Sequence, residues 1–296
     1  MWLLFALLTP LFFAVVHVVD AYCVEDVFDQ PWMGFVTSAL ASAVLCIPLS
    51  ALLLLSEWQT PSLEITLMAL GAGCLIQLSQ LLYFQALKYT EAGIVAAYWN
   101  MVPMLVVLLS FLLLHERLDT NEYAGIALLI VASIAFCALD TNLEMRGRSF
   151  ALMAAAAALQ AAMFLMEDVV FAGTSYASGF LLITLGLVLT GLAPMLLRSP
   201  RRAFVANLPR LTPAVGILIG IEVINLLALA SSQRAVDLGT PSLVAAVETT
   251  IPAYTFMLSI AMLSLLPMFG DTDSRKHLPK KLGLVGLMSA GVFMLA

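Results

Sequence analysis

Long apolar runs follow one another along the chain, and short polar or charged clusters separate them. A helix that crosses a bilayer needs roughly 20 mostly apolar residues. The candidate runs are 1–22, 32–55, 63–86, 92–114, 123–139, 149–171, 179–197, 210–231, 240–266 and 282–296. They are continuously apolar, whereas the strands of a membrane barrel alternate between apolar and polar positions. The pattern therefore predicts an all-α polytopic membrane protein with ten transmembrane helices.

The composition supports a membrane protein and excludes some other classes. Hydrophobic residues make up 62% of the chain and charged residues only 11%, whereas soluble proteins contain roughly 25% charged residues. The first 22 residues lack the basic flank and cleavage site of a secretory signal, so we expect them to be retained as the first helix. The net charge of −6, without a basic and aromatic module, argues against nucleic-acid binding.

One short pattern occurs twice in the chain. The segment VAAYWNMVP covers 95–103 and VAAVETTIP covers 244–252, an offset of 149 residues. The same offset aligns the first four predicted spans with the sixth to the ninth, and an insertion of 9 residues in the last connection brings Gly125 of the fifth span opposite Gly283 of the tenth. We therefore expect a first five-helix repeat at 1–139, a connecting loop at 140–148 and a second five-helix repeat at 149–296. An odd number of spans in each copy gives the two copies opposite orientations, and such inverted repeats are typical of transporters.

Lysine and arginine are distributed unevenly between the two sides of the predicted bundle. The connections that follow the odd-numbered spans contain Lys88, Arg146, Arg148, Arg198, Arg201, Arg202, Arg210, Arg275, Lys276, Lys280 and Lys281. The other side contains Arg117 and Arg234. Because lysine and arginine accumulate in cytoplasmic connections, this bias predicts that both termini lie outside the cytoplasm.

Two glutamates lie deep inside predicted spans. Glu222 is near the middle of the eighth span, and Glu248 is in the first half of the ninth. A charged side chain at this depth costs roughly 2.5–3.5 kcal/mol and usually faces a cavity or a partner. Two nearby buried acids seldom ionise together, so we expect one of them to contact the substrate and the other to carry a coupling proton. Tyr98 and Trp99 are predicted at the depth of Glu248, and we therefore expect Glu248 to contact the substrate and Glu222 to carry the proton.

Further polar and aromatic residues are predicted to line the substrate site with Glu248. They are Gln77, Gln80, Tyr98, Trp99, Asn100, Asn225 and Thr249. Pro103 and Pro252 loosen the turn before them in each copy, and an aromatic face opposite a carboxylate attracts an organic cation. The alternative role for the two glutamines and Asn225 is hydrogen bonding between helices, and for the two aromatic residues it is packing.

Proton coupling has four further candidates besides Glu222. They are His17, Asp20, Glu167 and Asp168, on the first and sixth spans. Asp20 and Asp168 lie near the ends of their spans and so within reach of water. His17 has the alternative of donating a hydrogen bond to a neighbouring carbonyl.

No metal, cofactor or enzymatic motif is predicted. The four cysteines show no ligand spacing, and the chain contains no HExxH, Walker A, nucleophile-elbow or GxGxxG motif. The segment GILIG at 216–220 has the GxxxG spacing that predicts close contact between helices. The sequence therefore favours a protein that is not an enzyme.

Two longer segments carry a family resemblance. They are FQALKYTEAGIVAAYWNMVPMLVVLLSFLLLHERLDTNEYAGIALLIVASI at 84–134 and SQRAVDLGTPSLVAAVETTIPAYTFMLSIAML at 232–263. The chain resembles the drug/metabolite transporter superfamily in its EamA-like branch. The resemblance implies ten spans in two five-span copies, with a central cavity lined mainly by helices one, three, four, six, eight and nine.

The chain departs from this family pattern in three ways. The Glu116-Arg117 pair has no counterpart in the second copy, where Ser264-Leu265-Leu266 align with 115–117. The connection between the ninth and tenth spans is longer and more basic than is usual. Relatives keep both termini in the cytoplasm, opposite to the charge bias, so both orientations stay open.

These observations lead to a function hypothesis. We expect secondary transport of a small cationic or zwitterionic metabolite, such as an amino acid or amine, by alternating access in a bacterial inner membrane. The partners would be the solute, protons or a counter-substrate, and the surrounding lipid. The alternatives are a lipid scramblase or flippase, and a membrane receptor or assembly protein that does not transport.

Overall fold

The computed structural model describes residues 1–30, 32–54, 58–87, 89, 95, 98–139, 147–265 and 277–296, and all the secondary structure in these ranges is helical. The α-helices are α1 (Trp2–Tyr22), α2 (Trp32–Leu54), α3 (Leu63–Leu87), α4 (Met101–Leu109), α5 (Thr120–Ala138), α6 (Gly147–Gly173), α7 (Tyr176–Leu192), α8 (Arg198–Leu238), α9 (Pro241–Glu248), α10 (Ile251–Leu265) and α11 (Leu278–Leu295). A π-helical turn follows α1 and another follows α4, and a short 3-10 helix joins α7 to α8.

Seven helices in the described part of the chain are long and apolar enough to cross a membrane. They are Trp2–Asp20, Leu63–Ala86, Thr120–Ala138, Gly147–Gly173, Tyr176–Leu196, Arg198–Leu238 and Leu278–Leu295. Two shorter apolar stretches lie between them in the sequence, Trp32–Pro48 within α2 and Met101–Leu114, which continues from α4 into the π-helical turn after it. The chain is therefore an integral, multi-pass membrane protein, as predicted. The count of ten spans and the inverted repeat remain predictions.

The largest difference from the predicted spans is in α8. We expected a connection between 197 and 210, but α8 begins at Arg198 and continues for 41 residues to Leu238. At 1.5 Å per residue it is roughly 60 Å long, about twice the thickness of the hydrocarbon core. The arginines and prolines that suggested a loop lie mainly between Arg198 and Pro213, before the long apolar run of α8. The arginine side chains in this part are exposed, so their charges can reach water.

The predicted ninth span is divided in two. The helix α9 ends at Glu248, and α10 begins at Ile251, one residue before Pro252. In the first copy, Asn100 lies in a turn and α4 begins at Met101. A proline lacks the N–H that would continue the helical hydrogen bonds, so a break just before each proline agrees with the expectation from the sequence.

Several sequence predictions concern residues outside the described ranges. They are those on Lys88, Ala96, Ala97, Arg146, Leu266, Arg275, Lys276 and most of the connecting loop at 140–148.

Glycines allow α3 and α7 to pack with their backbones close together. A Cβ atom on Gly73 would overlap the carbonyl oxygen of Ile183, and one on Gly186 would overlap the carbonyl oxygen of Leu70. Small residues at such crossings are typical of membrane helix pairs. The GxxxG prediction at 216–220 is not supported, because a Cβ atom at Gly216 or Gly220 would have no described neighbour within 4 Å.

We expect Gly73→Ala to lower the thermal stability of the detergent-solubilised protein. The added methyl group would force α3 away from α7, and overpacking of this kind costs roughly 1–3 kcal/mol. The matched control is Gly216→Ala, where the methyl group enters open space and helix propensity improves. Equal unfolding temperatures for the two variants would contradict the close packing of α3 and α7.

Candidate functional site

A small polar cavity lies between α1, α2, α3 and α8. Its volume is about 30 Å³, enough for one or two water molecules. It is lined by Val16, Asp20, Phe28, Gly34, Thr37, Ser38, Gln80, Phe84, Leu218, Ile221, Glu222 and Asn225. None of these lining residues is a lysine, arginine or histidine, so the described wall of the cavity contains two acids and no base.

Glu222 is held in this cavity by two hydrogen bonds. The hydroxyl of Ser42 on α2 donates to Oε1 of Glu222 at 2.5 Å, and Nδ2 of Asn225 donates to the same oxygen at 3.1 Å. Glu222 and Asn225 are three residues apart on α8 and so share a face of the helix. The Glu222 side chain is buried, with a relative exposure of 3%. The carboxylate is therefore fixed in position and shielded from bulk water.

Asp20 and Gln80 complete the polar wall. Asp20, on α1, lies near enough to Glu222 for their charges to interact. The Oε1 atom of Gln80, on α3, is buried and accepts no hydrogen bond within the described residues. Of the predicted site residues, the structure thus brings together Asp20, Gln80, Glu222 and Asn225.

An aromatic cluster adjoins the cavity through Tyr83, which the sequence analysis did not single out. Phe84, a lining residue, contacts Tyr83 edge-on with ring centroids 5.4 Å apart. Trp99 contacts Tyr83 at 5.9 Å, also edge-on, and Nδ1 of His17 lies 3.2 Å from the Tyr83 hydroxyl. The sequence signal that could have revealed Tyr83 is its spacing of three residues from Gln80 on the same face of α3.

Tyr98 and Asn100 were also predicted to line the substrate site, but neither lines this cavity. Tyr98 packs edge-on against Phe150 of α6, with centroids 5.5 Å apart. Asn100 is buried, with a relative exposure of 4%, in the turn that precedes α4. The predicted arrangement, in which Tyr98 and Trp99 both face Glu248, is not seen among the described contacts.

Glu248 belongs to a second polar cluster, formed by α6, α8 and α9. The hydroxyl of Ser232 donates to Oε1 of Glu248 at 2.6 Å. Glu167 of α6 lies within electrostatic range of Glu248 and beside Gln233. Both Glu167 oxygens are buried without a hydrogen bond of good geometry, and so is Oε1 of Gln233. The result is a buried pair of carboxylates, Glu167 and Glu248, in which the Glu167 oxygens are spare acceptors.

The Glu167–Glu248 pair is remote from the Glu222 cavity. Ser232 follows Glu222 by ten residues on the same helix, which corresponds to roughly 15 Å along its axis. The structure therefore does not bring Glu222 and Glu248 together as two neighbouring acids.

Asp168 extends the second cluster toward α4. It lies within electrostatic range of Glu116, and Glu116 accepts a hydrogen bond of 2.7 Å from Ser242 on α9. Glu116 entered the sequence analysis only through the family pattern. Its bond to Ser242 connects the segment 84–134 to the segment 232–263.

Two predicted substrate residues make local or interhelical hydrogen bonds instead. Gln77 is fully buried, and its Nε2 donates to the carbonyl of Phe35 at 2.8 Å, which joins α3 to α2. Thr249 donates to the carbonyl of Ala246 at 2.7 Å and closes the end of α9. The contact of Gln77 favours its alternative role in hydrogen bonding between helices, and the contact of Thr249 is local to the end of α9.

Comparison with known proteins connects this architecture to a family. The model of the EamA-like transporter family matches residues 1–137. The crystal structure of another protein superposes on this chain with a TM-score of 0.66 and 16% sequence identity. The alignment covers 98% of this chain and 99% of that chain. At this identity the likeness shows a shared fold and nothing more. No curated protein has a significantly similar sequence.

Proposed function

Because residues 1–137 belong to the EamA-like transporter family of the drug/metabolite transporter superfamily, whose members are transporters rather than enzymes, we propose that this chain carries a small cationic or zwitterionic metabolite. The observation that carries the proposal is the pair of acids, Asp20 and Glu222, in a membrane-embedded cavity without a basic lining residue. An amino acid or amine supplies the missing positive charge.

The chemistry of the cavity suits an ammonium group. An ammonium offers three N–H donors, and the two carboxylates together with the spare Gln80 oxygen offer acceptors for them. Charge-assisted hydrogen bonds of this kind are stronger than neutral ones. An anionic solute would meet two acidic side chains and no basic one among the lining residues. This proposal moves the substrate contact from Glu248, as the sequence suggested, to Glu222 and Asp20.

The size of the cavity fits one stage of an alternating-access cycle. About 30 Å³ accommodates water but not a metabolite, so substrate entry requires the surrounding helices to separate. The break between α9 and α10 and the turn before α4 provide places where helices can bend. We assign this conformation to a closed stage, between states open to either side of a bacterial inner membrane.

The Glu167–Glu248 pair suits proton coupling. Two buried carboxylates cost several kcal/mol when both are charged, and the Glu167 oxygens accept no hydrogen bond of good geometry within the described residues. A single proton between the two acids relieves this cost. The other titratable or charged groups around the pair are Tyr176 on α7 and Asp168 with its neighbour Glu116. Arg234 on α8 is paired with Asp237 and lies over the Tyr176 ring, 5.1 Å from its centroid. The pair therefore has no basic partner of its own among these neighbours.

We expect purified protein in liposomes to take up a cationic or zwitterionic solute and to exclude anionic ones. The panel contains radiolabelled amino acids, polyamines, dicarboxylates and sugar phosphates, with protein-free liposomes as the control. Preferential uptake of a sugar phosphate or dicarboxylate would contradict the assignment of the two acids. A fluorescent phospholipid in the same vesicles tests the scramblase alternative, and movement of neither lipid nor solute would favour the receptor alternative.

A further inference from the structure

A second, larger opening lies on the outside of the bundle, away from the polar cavity. It is a groove of about 530 Å³, bounded by α2, α3, the end of α7 and the start of α8. This volume is within the range of roughly 300–1,000 Å³ that small-molecule ligands occupy. The proposal drawn from it does not depend on the transported substrate.

The wall of the groove is apolar. It includes Trp32 and Phe35 of α2, Leu78 and Leu81 of α3, and Leu197 at the start of α8. The polar side chain on the wall, Thr190, donates its hydrogen bond to the carbonyl of Gly186 at 2.8 Å. The groove therefore offers little to a polar solute, but it suits a hydrocarbon chain.

Three arginines stand directly beside this apolar wall. Leu197 precedes Arg198, and the wall residue Pro200 precedes Arg201. Arg198, Arg201 and Arg202 have the i, i+3, i+4 spacing that gathers side chains on one face of a helix. All three are exposed, and the two ion pairs among the described residues involve other arginines. The segment from 190 to 207 contains no acidic residue.

The depth of the groove in the membrane follows from its composition. Trp32 lies at the start of α2, with its indole N–H donated to Gln30 at 2.8 Å, which is the placement typical of tryptophan at a membrane interface. The leucine side chains extend from there along apolar helices. An apolar wall with a tryptophan at its edge and arginines beside it has the order of chemistry that a bilayer presents from its acyl chains to its headgroups.

From the apolar groove and the adjacent arginines, we propose a binding site for an anionic phospholipid. One acyl chain lies in the groove between α2, α3 and α8, and the phosphate contacts Arg198, Arg201 and Arg202. Guanidinium groups match the geometry of phosphate oxygens, and basic pockets between membrane helices recognise anionic headgroups. A zwitterionic lipid would fill the groove equally well but would gain less from the arginines.

Quenching of Trp32 fluorescence tests this site. The full chain keeps Trp32, and Trp2, Trp58 and Trp99 are replaced by phenylalanine. The protein is reconstituted in phosphatidylcholine with increasing fractions of brominated phosphatidylglycerol or brominated phosphatidylcholine. We expect half-maximal quenching at an at least tenfold lower fraction of the anionic lipid, since one arginine near the surface contributes roughly fivefold.

The variant Arg198→Gln/Arg201→Gln/Arg202→Gln should bring the two quenching curves together. The matched control is Arg210→Gln, which removes an exposed arginine of the same helix that pairs with Asp29 at 2.5 Å and does not line the groove. This control should keep the preference. Equal Trp32 emission in unbrominated lipid checks that each variant is folded.

Three results would overturn the proposal. One is equal quenching by both lipids in the parent protein, and another is an unchanged preference in the triple variant. The third is loss of the preference when millimolar inorganic phosphate replaces chloride at equal ionic strength, because that would indicate a site for free anions.

Discussion

Glu222→Gln should weaken substrate binding at least about 100-fold. Removing one partner of a buried charge pair costs roughly 3–5 kcal/mol, and the Glu222 carboxylate is both buried and fixed by Ser42 and Asn225. Glutamine keeps the shape of the side chain and an oxygen for these two donors, so the fold should be retained. The measurement is the concentration dependence of uptake for the solute identified in the flux panel.

Glu64→Gln is the matched control for this prediction. Glu64 lies in the exposed first turn of α3. The variant Glu64→Gln should therefore bind the substrate with wild-type affinity. Asp20→Asn is expected to resemble Glu222→Gln, because both acids line the cavity. Unchanged affinity in both cavity variants would show that the substrate does not bind at this site.

Glu248→Gln should abolish accumulation driven by a pH gradient and leave solute exchange intact. With one coupled proton, a gradient of one pH unit supports an accumulation ratio of about ten. The ratio should fall to about one in the variant, because the carboxylate that shares a proton with Glu167 is lost. Glu167→Gln should behave in the same way. Counterflow with solute on both sides of the membrane measures exchange without a pH gradient.

This second experiment also separates two assignments of the acids. If Glu222→Gln uncouples uptake while Glu248→Gln weakens binding, the roles suggested by the sequence stand and those suggested by the geometry fail. Ser232→Ala provides a milder variant, since it removes the hydrogen bond of 2.6 Å to Glu248 but keeps both carboxylates. We expect a reduced accumulation ratio that stays above one.

The sequence analysis singled out four of the residues that line the cavity, Asp20, Gln80, Glu222 and Asn225, and their roles in substrate contact or proton coupling stay predictions. Glu222 and Asn225 could be recognised because buried polar residues three apart on an apolar helix must face a common cavity or partner. Their separation from Glu248 could not be predicted. It depends on how far α8 continues past Glu222 before α9 returns beside it, and the ends of α8 were obscured by arginines and prolines.

Gln77 and Thr249 show a different limit of the same reasoning. Both are polar residues in apolar helices, as Gln80 is, but a carbonyl within reach already uses the donor of each. Whether such a carbonyl lies within reach depends on the rotation of each helix about its axis and on local breaks. Tyr83 was missed for a related reason. Its spacing of three residues from Gln80 is visible in the sequence, but that spacing does not distinguish simple packing from a place beside the cavity.

The helix α8 connects the two polar sites along one axis. Its part without prolines, from Ala214 to Leu238, is roughly 37 Å long and carries Glu222 in its first half and Ser232 and Gln233 towards its end. A tilt of about 5° around the middle of this part displaces each end by roughly 1.6 Å, about half the length of a hydrogen bond. The proposed protonation near Glu248 and the proposed opening of the cavity can therefore be two effects of one rotation, while Pro209 and Pro213 allow the earlier part of α8 to stay in place.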